Sequence, residues 1–226
     1  DNVFNLICSA YVAGYSDIAE VGICMHGNSS DTFCNFTRGT KVRKMHTSRR
    51  DTFKAINDLP IAKIWSNGKI EIVNGNYKKR ADGKVKLDTS FEEKVALIKA
   101  YPGATTDVLN HLVDKGYKGI VIEATGLGHI PTGDINWIPD IKKAIEKGIA
   151  IVLAPQTLYG RLNPLVYEPA RKLLQTGVIY AEDMLPETAY VKLGWVLGHT
   201  KNLEKVREMM LTNYAGEIGD RREVID

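Results

Sequence analysis

The chain has 226 residues, 44% of them apolar and 25% charged, with a net charge of +3. That balance suits a globular protein with one generous core or two small ones, and usual domain sizes favour two. No window nears the ~20 consecutive apolar residues of a transmembrane helix, and acids interspersed with bases give no charge-based support for a nucleic-acid surface.

Three cysteines (Cys8, Cys24, Cys34) are odd in number and show no close pairing, so a reducing, cytoplasmic setting is expected rather than a disulfide framework. The five histidines fall in none of the common zinc spacings, and no metal site is expected. No signal-peptide pattern opens the sequence. Its first residue is Asp1 rather than Met, which suits a processed chain or part of a longer product.

In chain order, Asn2 to Val12 reads as a helix presenting Val3, Phe4, Leu6, Ile7 and Ala10 and stopping at Gly14. Val21 to Met25 suits a short buried strand, and this first region reads as a continuing α/β unit. Gly39 to Arg50 is rich in bases: Lys41, Arg43, Lys44, Arg49 and Arg50, with Arg38 beside them. Ile61 to Val73 gives two strand-like runs joined through Asn67-Gly68, a hairpin signal because both turn residues tolerate positive φ. Residues 74–92 are polar, hold Lys78, Lys79 and Arg80, and read as a linker.

From residue 93 the pattern is regular. Strand runs at Val95–Ile98, Gly119–Ile122, Ile149–Leu153 and Val178–Tyr180 alternate with helical segments. Thr106 is read as the cap of Asp107–Lys115, in which Val108, Leu109, Leu112 and Val113 share a face and Gly116 is the stop. Ile138–Lys147 ends at Gly148 and Leu165–Gln175 at Gly177; Pro186 opens Glu187–Leu197, and Asn202 caps Leu203–Leu211. Such alternation implies right-handed crossovers, a parallel sheet of about four strands, and helices on both faces.

The most informative stretch is Tyr117 to Gly133. An apolar run ends in Glu123 and breaks into a loop with Gly126 and Gly128, at the strand end where open parallel sheets handle ligands. Glu123 is either hydrogen-bonded within its own loop or faces a partner's cleft. Gly126-x-Gly128 does not complete a dinucleotide fingerprint, because the third position is Pro131, so a tight strand-to-helix connection is the first reading. Elsewhere no complete catalytic set emerges. Ser48 lacks nucleophile-elbow glycines. Cys24 and His26 would share a strand face, yet the apolar run around Cys24 favours a small buried hydrophobe over a nucleophile. The basic segment Lys41–Arg50 reads first as a solvated face or structural ion pairs, with a phosphate or tRNA backbone as the alternative. Thr105-Thr106-Asp107 is by default a helix cap.

Several segments together resemble the asparaginase/glutaminase family of amidohydrolases. Asp1-Asn2-Val3-Phe4-Asn5-Leu6 is similar to its D-x-x-x-N-L helix start, and Lys41 to Asn57 to its R-K-x-x-T-x-x-D-x-F-x-S-x-N stretch. The R-K-M-H-T-S-R-R-D form from Arg43 to Asp51 resembles the family's archaeal tRNA-dependent amidotransferases. Gly116 to Glu123, Pro155 to Gly160 and Leu197 to Lys201 also match, so the resemblance covers essentially the whole chain.

The resemblance implies an α/β fold in three parts. Residues 1–73 would be the end of a larger catalytic domain and 74–92 a linker. Residues 93–226 would form a smaller flavodoxin-like domain with a roughly four-stranded parallel sheet. It places the nucleophilic threonine (T-G-G-T-I), a second threonine with its aspartate (H-G-T-D-T) and a relay lysine upstream of Asp1, leaving no catalytic residue in this chain. His26 to Thr32 echoes H-G-T-D-T but lies on a later strand and takes none of those roles. A homodimer is implied, in which the smaller domain closes its mate's active site; Thr105, Thr106, Asp107 and Tyr167 are then supporting substrate-site positions. The amidotransferase branch further implies a partner E subunit that uses ATP and Mg2+ on tRNA(Gln) charged with glutamate. A free L-asparaginase and a non-catalytic α/β module are the alternatives.

Overall fold

The computed structural model describes residues 2–219, which divide into two compact units, residues 2–86 and 87–219. The expected helix start at Asp1 lies outside the described residues.

In the first unit, α1 (Asn2–Tyr15) packs on a sheet of β1 (Gly22–His26), β2 (Cys34–Arg38), β5 (Ala62–Ile64) and β6 (Ile70–Ile72), ordered β1-β2-β5-β6. β3 (Val42–Lys44) and β4 (Phe53–Ala55) form a separate two-stranded ribbon. Every pairing is antiparallel, unlike the parallel pairings of the second unit. Chain length explains the difference: only residues 27–33 join β1 to β2, too few for a parallel crossover.

The buried face of α1 also differs from expectation. Asn5, Cys8 and Val12 turn inward with Phe4 and Tyr11 at the margin, against Cys24, Cys34, Phe36, Ile61, Ala62 and Ile64. Val3 and Leu6 are each 71% exposed. Two apolar stripes run along this helix, and the sheet takes the one that brings Asn5 Oδ1 within 3.3 Å of the Cys34 thiol, which donates to it. The helix continues through Gly14, and Val21 lies outside β1 and is 90% exposed. The β5–β6 hairpin forms where expected, but only Gly68 takes positive φ (+89°). Gly68 N donates to Trp65 O and Lys69 N to Asn67 Oδ1, so the loop is wider than a two-residue Asn-Gly turn.

In the second unit, β7 (Val95–Lys99), β8 (Gly119–Ala124), β9 (Ala150–Pro155) and β10 (Ile179–Tyr180) form a wholly parallel sheet in sequential order. With right-handed crossovers, a sheet that always grows in one direction puts all its connecting helices on one face. That face carries α2 (Asp107–Asp114), α3 (Ile138–Glu146) and α4 (Glu168–Leu174), packing Leu109, Ile141 and Leu173 on Ile120, Ile122, Ile151 and Leu153. The chain after β10 covers the other: α5 (Pro186–His199) and α6 (Leu203–Leu211) pack Leu193, Val196, Val206 and Met210 on Val121 and Val152. Burial on both faces is why β8 and β9 read as unbroken apolar runs.

Two local expectations need correction. Thr106 precedes α2 but its side chain caps nothing; its hydroxyl donates 2.5 Å to Asp140 Oδ2 on α3. The helix expected from Leu165 begins at Glu168, because Leu165 and Val166 turn their carbonyls to the Arg171 guanidinium instead. Asn202 caps α6 as expected, accepting from Lys205 N at 3.0 Å.

Candidate functional site

A parallel sheet gathers the segments after its strands along one edge, and here that edge holds the loops from Ala100, Thr125 and Gln156. Three bonds tie it together. Gln156 Nε2 donates to Ala100 O at 2.7 Å, joining the ends of β9 and β7 across β8. Trp137 Nε1 donates to Ala104 O at 2.8 Å, and Lys99 Nζ lies 3.1 Å from Glu123 Oε2. Glu123 is therefore a laced strand-end acid within its own unit.

Thr105, Thr106 and Asp107 sit after β7, where Thr105 Oγ1 donates to Asp107 Oδ2 at 2.7 Å. Tyr167 lies after β9 at the start of α4, its ring 5.3 Å from that of His129. Two strand spacings, about 10 Å, separate β7 from β9. The topology thus brings both groups to one edge of the sheet. Their links run sideways, from Thr106 to Asp140 and from Tyr167 to His129. His129 and Asp140 are edge residues that sequence reading passed over. His129 stood in the glycine turn already singled out; Asp140 gave no signal beyond being an acid in a first helical turn.

The turn that presents His129 is tightly built. Thr125 N donates to His129 O at 2.9 Å, Gly128 N donates to Thr125 O at 3.0 Å, and Gly128 takes φ +107°. A Cβ there would stand 2.6 Å from the Tyr180 ring. Tyr180 is buried, its hydroxyl 3.3 Å from both Gly128 O and Ala170 O, and burial pushes its phenol above the ordinary range.

In the first unit the basic segment is largely paired. Arg38 meets Glu20 (2.7 Å), Asp58 (2.8 Å) and Asn76 O. Asp51 holds Arg49 (2.8 Å) and Lys54 (3.0 Å), which keep its carboxyl below the ordinary range, and Arg50 reaches Asp31 (3.3 Å). Lys41 is buried. Lys44, exposed at the end of β3, has no ion pair among the described residues. His26 is buried with Nε2 2.7 Å from Asp31 Oδ1. Cys24 lies within the apolar core of this unit. Among the described residues no three His, Cys, Asp or Glu side chains converge as a metal site, and no helix is long and apolar enough to cross a membrane.

Residues 1–78 match the family described as "Asparaginase, N-terminal", and residues 94–210 match "Glutaminase/Asparaginase C-terminal domain". The chain is similar to a protein of Thermococcus kodakarensis named as the D subunit of glutamyl-tRNA(Gln) amidotransferase. The two are 62% identical over 218 residues, covering 96% of this chain and 49% of that relative. It is 49% identical to the protein of the same name in Methanothermobacter thermautotrophicus, over 99% of this chain and 50% of the other. Its fold is similar to that of the thermostable L-asparaginase from Thermococcus kodakarensis, with a TM-score of 0.81 and 30% identity over 96% of this chain and 62% of the other. The chain spans about half the length of the curated relatives it matches.

Proposed function

The chain belongs to the glutaminase/asparaginase family, and we propose that it is the C-terminal portion of a glutaminase-type D subunit of a tRNA-dependent amidotransferase. The carrying observation is the 62% identity that extends over nearly the whole chain, through both units. On this reading residues 1–73 complete the catalytic domain, and the smaller domain from residue 93 closes the cleft of a dimer mate in the cytoplasm.

The reaction is acyl transfer. A threonine hydroxyl outside this chain attacks the side-chain amide carbon of glutamine, its proton passing to a relay base. The C–N bond breaks, ammonia leaves with that proton, and water then cleaves the ester to give the acid. Ammonia passes to a partner E subunit, which activates tRNA-bound glutamate with ATP and Mg2+. No residue of this chain is assigned to ATP or Mg2+.

Thr105, Thr106, Asp107 and Tyr167 would border the mate's cleft, held by Asp140 and His129. The relay lysine, expected upstream, is better placed in this chain at Lys44. It stands in the family's R-K stretch, and neighbouring Arg49, Arg50 and Lys54 are all engaged by acids while Lys44 is exposed. The L-asparaginase alternative draws on the fold likeness at 30% identity. Supplying the intact protein with glutamine, its partner subunit, ATP and glutamate-charged tRNA(Gln) separates the two. Amide appearing on the tRNA supports the proposal. Partner-independent asparagine hydrolysis with no transfer to tRNA overturns it.

A further inference from the structure

Residues 88–92 enter the second unit lying across α5, in a notch kept open by two glycines four positions apart. A Cβ on Gly194 would stand 2.2 Å from the Phe91 ring, and one on Gly198 2.4 Å from the Ser90 backbone. Glu92 N donates to Gly194 O at 2.9 Å. An ion pair closes each end, Glu92 with Lys201 and Asp88 with His199.

The two ends differ in kind. His199 Nδ1 lies 2.7 Å from Trp195 O, and Nε2 lies 2.9 and 3.0 Å from the Asp88 carboxylate oxygens. Neither a carbonyl nor a carboxylate can donate, so both ring nitrogens must carry hydrogen. A neutral imidazole has only one. The position suits a cation, in the last turn of α5 with the Trp195 ring 4.6 Å away. The charged group that faces it is Asp88 from the strap; Tyr214 packs on Trp195, and Glu92 and Lys201 neutralise each other at the strap's other end.

We infer that residues 88–92 are a strap latched by one proton on His199, which sets how much of the connector between the two units is free. Residues 74–80 are tied to the first unit, through Ala19 N to Lys78 O and Arg80 N to Asp17 O, while residues 81–87 are exposed. With the latch closed the free connector ends at residue 87. Loss of the proton leaves one N–H to serve either Asp88 or the Trp195 carbonyl, so the ion pair gives way to at most a single neutral hydrogen bond. The strap then loosens from residue 88 towards Phe91, which its notch and the Glu92–Lys201 pair retain. Geometry and titration agree in sign. The Trp195 carbonyl and Asp88 raise the His199 pKa, so the latch is complete below the ordinary histidine range and lost as pH rises through the raised value. Asp88 sets the acid limit: burial opposes its charge, but the His199 contact and the Ser90 amide hold its pKa below the ordinary value.

Hydrogen exchange of the full-length protein tests this independently of its activity. After correction for intrinsic rates, protection of the Ser90 amide, which donates to Asp88 Oδ1, should fall as pH rises through the His199 pKa, by up to about tenfold per pH unit. The β8 and β9 amides should stay protected. His199→Gln should leave the Ser90 amide weakly protected at every pH, and Asp88→Asn should do the same if the first variant misfolds. Lys201→Gln should weaken protection without removing its pH dependence. Uniform protection of the strap from pH 6 to 9, or pH dependence surviving in His199→Gln or Asp88→Asn, overturns the latch.

Discussion

Lys192 Nζ stands 2.5 Å from Glu217 Oε1, with only 7% and 3% of the two side chains exposed. The ammonium also donates to Thr212 O at 2.6 Å and lies 5.3 Å from the centre of the Tyr214 ring, while Glu217 accepts from the Tyr214 and Ala215 amides. The pair fastens the segment after α6 onto α5. Buried charges are tolerated when each is matched and hydrogen-bonded, and removing one partner strands the other.

Lys192→Met and Glu217→Gln should each therefore lower stability by about 3–5 kcal/mol in urea unfolding. The double variant Lys192→Met/Glu217→Met should recover much of that loss, since a matched apolar pair strands no charge. Single-variant losses below about 1 kcal/mol would show the pair to be ordinary surface chemistry.

The same pair makes the second unit acid-sensitive. Burial pushes the Glu217 carboxyl up, but Lys192 and the neighbouring amides outweigh it and hold the group below the ordinary glutamate range. Its contribution is complete above the unfolded value of about 4.3 and lost as pH falls through the lower folded value. Stability measured against pH should decline below about pH 4, and Glu217→Gln should flatten that decline. An unchanged profile would contradict this assignment.

Gly128→Ala should cost about 2–4 kcal/mol, since φ +107° and a Cβ 2.6 Å from the Tyr180 ring add strain to overpacking. Gly133→Ala, where a Cβ meets nothing within 4 Å, should stay within about 0.5 kcal/mol. Equal melting temperatures for the two variants would show that the turn yields.

Much of the second unit was legible because its signals are local. Gly116, Gly148 and Gly177 each follow a helix and precede a strand, and the alternation alone dictates a parallel sheet. What sequence could not give depends on partners distant in the chain. Nothing near Thr106 says that its hydroxyl turns to Asp140 rather than to its own helix, and nothing near α1 says which of two apolar stripes meets a sheet. The candidate site divides the same way. Periodicity puts Thr105 and Tyr167 after strands, whereas the His129–Tyr167 stack is a tertiary fact that neither residue announces.

If Lys44 supplies the relay, Lys44→Ala in the intact protein should reduce glutamine turnover by about 10²–10⁴, the usual worth of positioned proton transfer. Lys54→Ala, whose ammonium is committed to Asp51, should change turnover far less and serves as the control. Wild-type turnover by Lys44→Ala would remove that residue from the reaction.

The central claim is that these residues frame an amidohydrolase cleft whose attacking hydroxyl lies elsewhere in the protein. Ammonia release from glutamine and from asparagine, assayed with this chain alone beside the intact protein, tests it most directly. The intact protein should release ammonia and the isolated chain should match the no-enzyme blank. Sustained turnover by the isolated chain would place a nucleophile among its own 226 residues and contradict the claim.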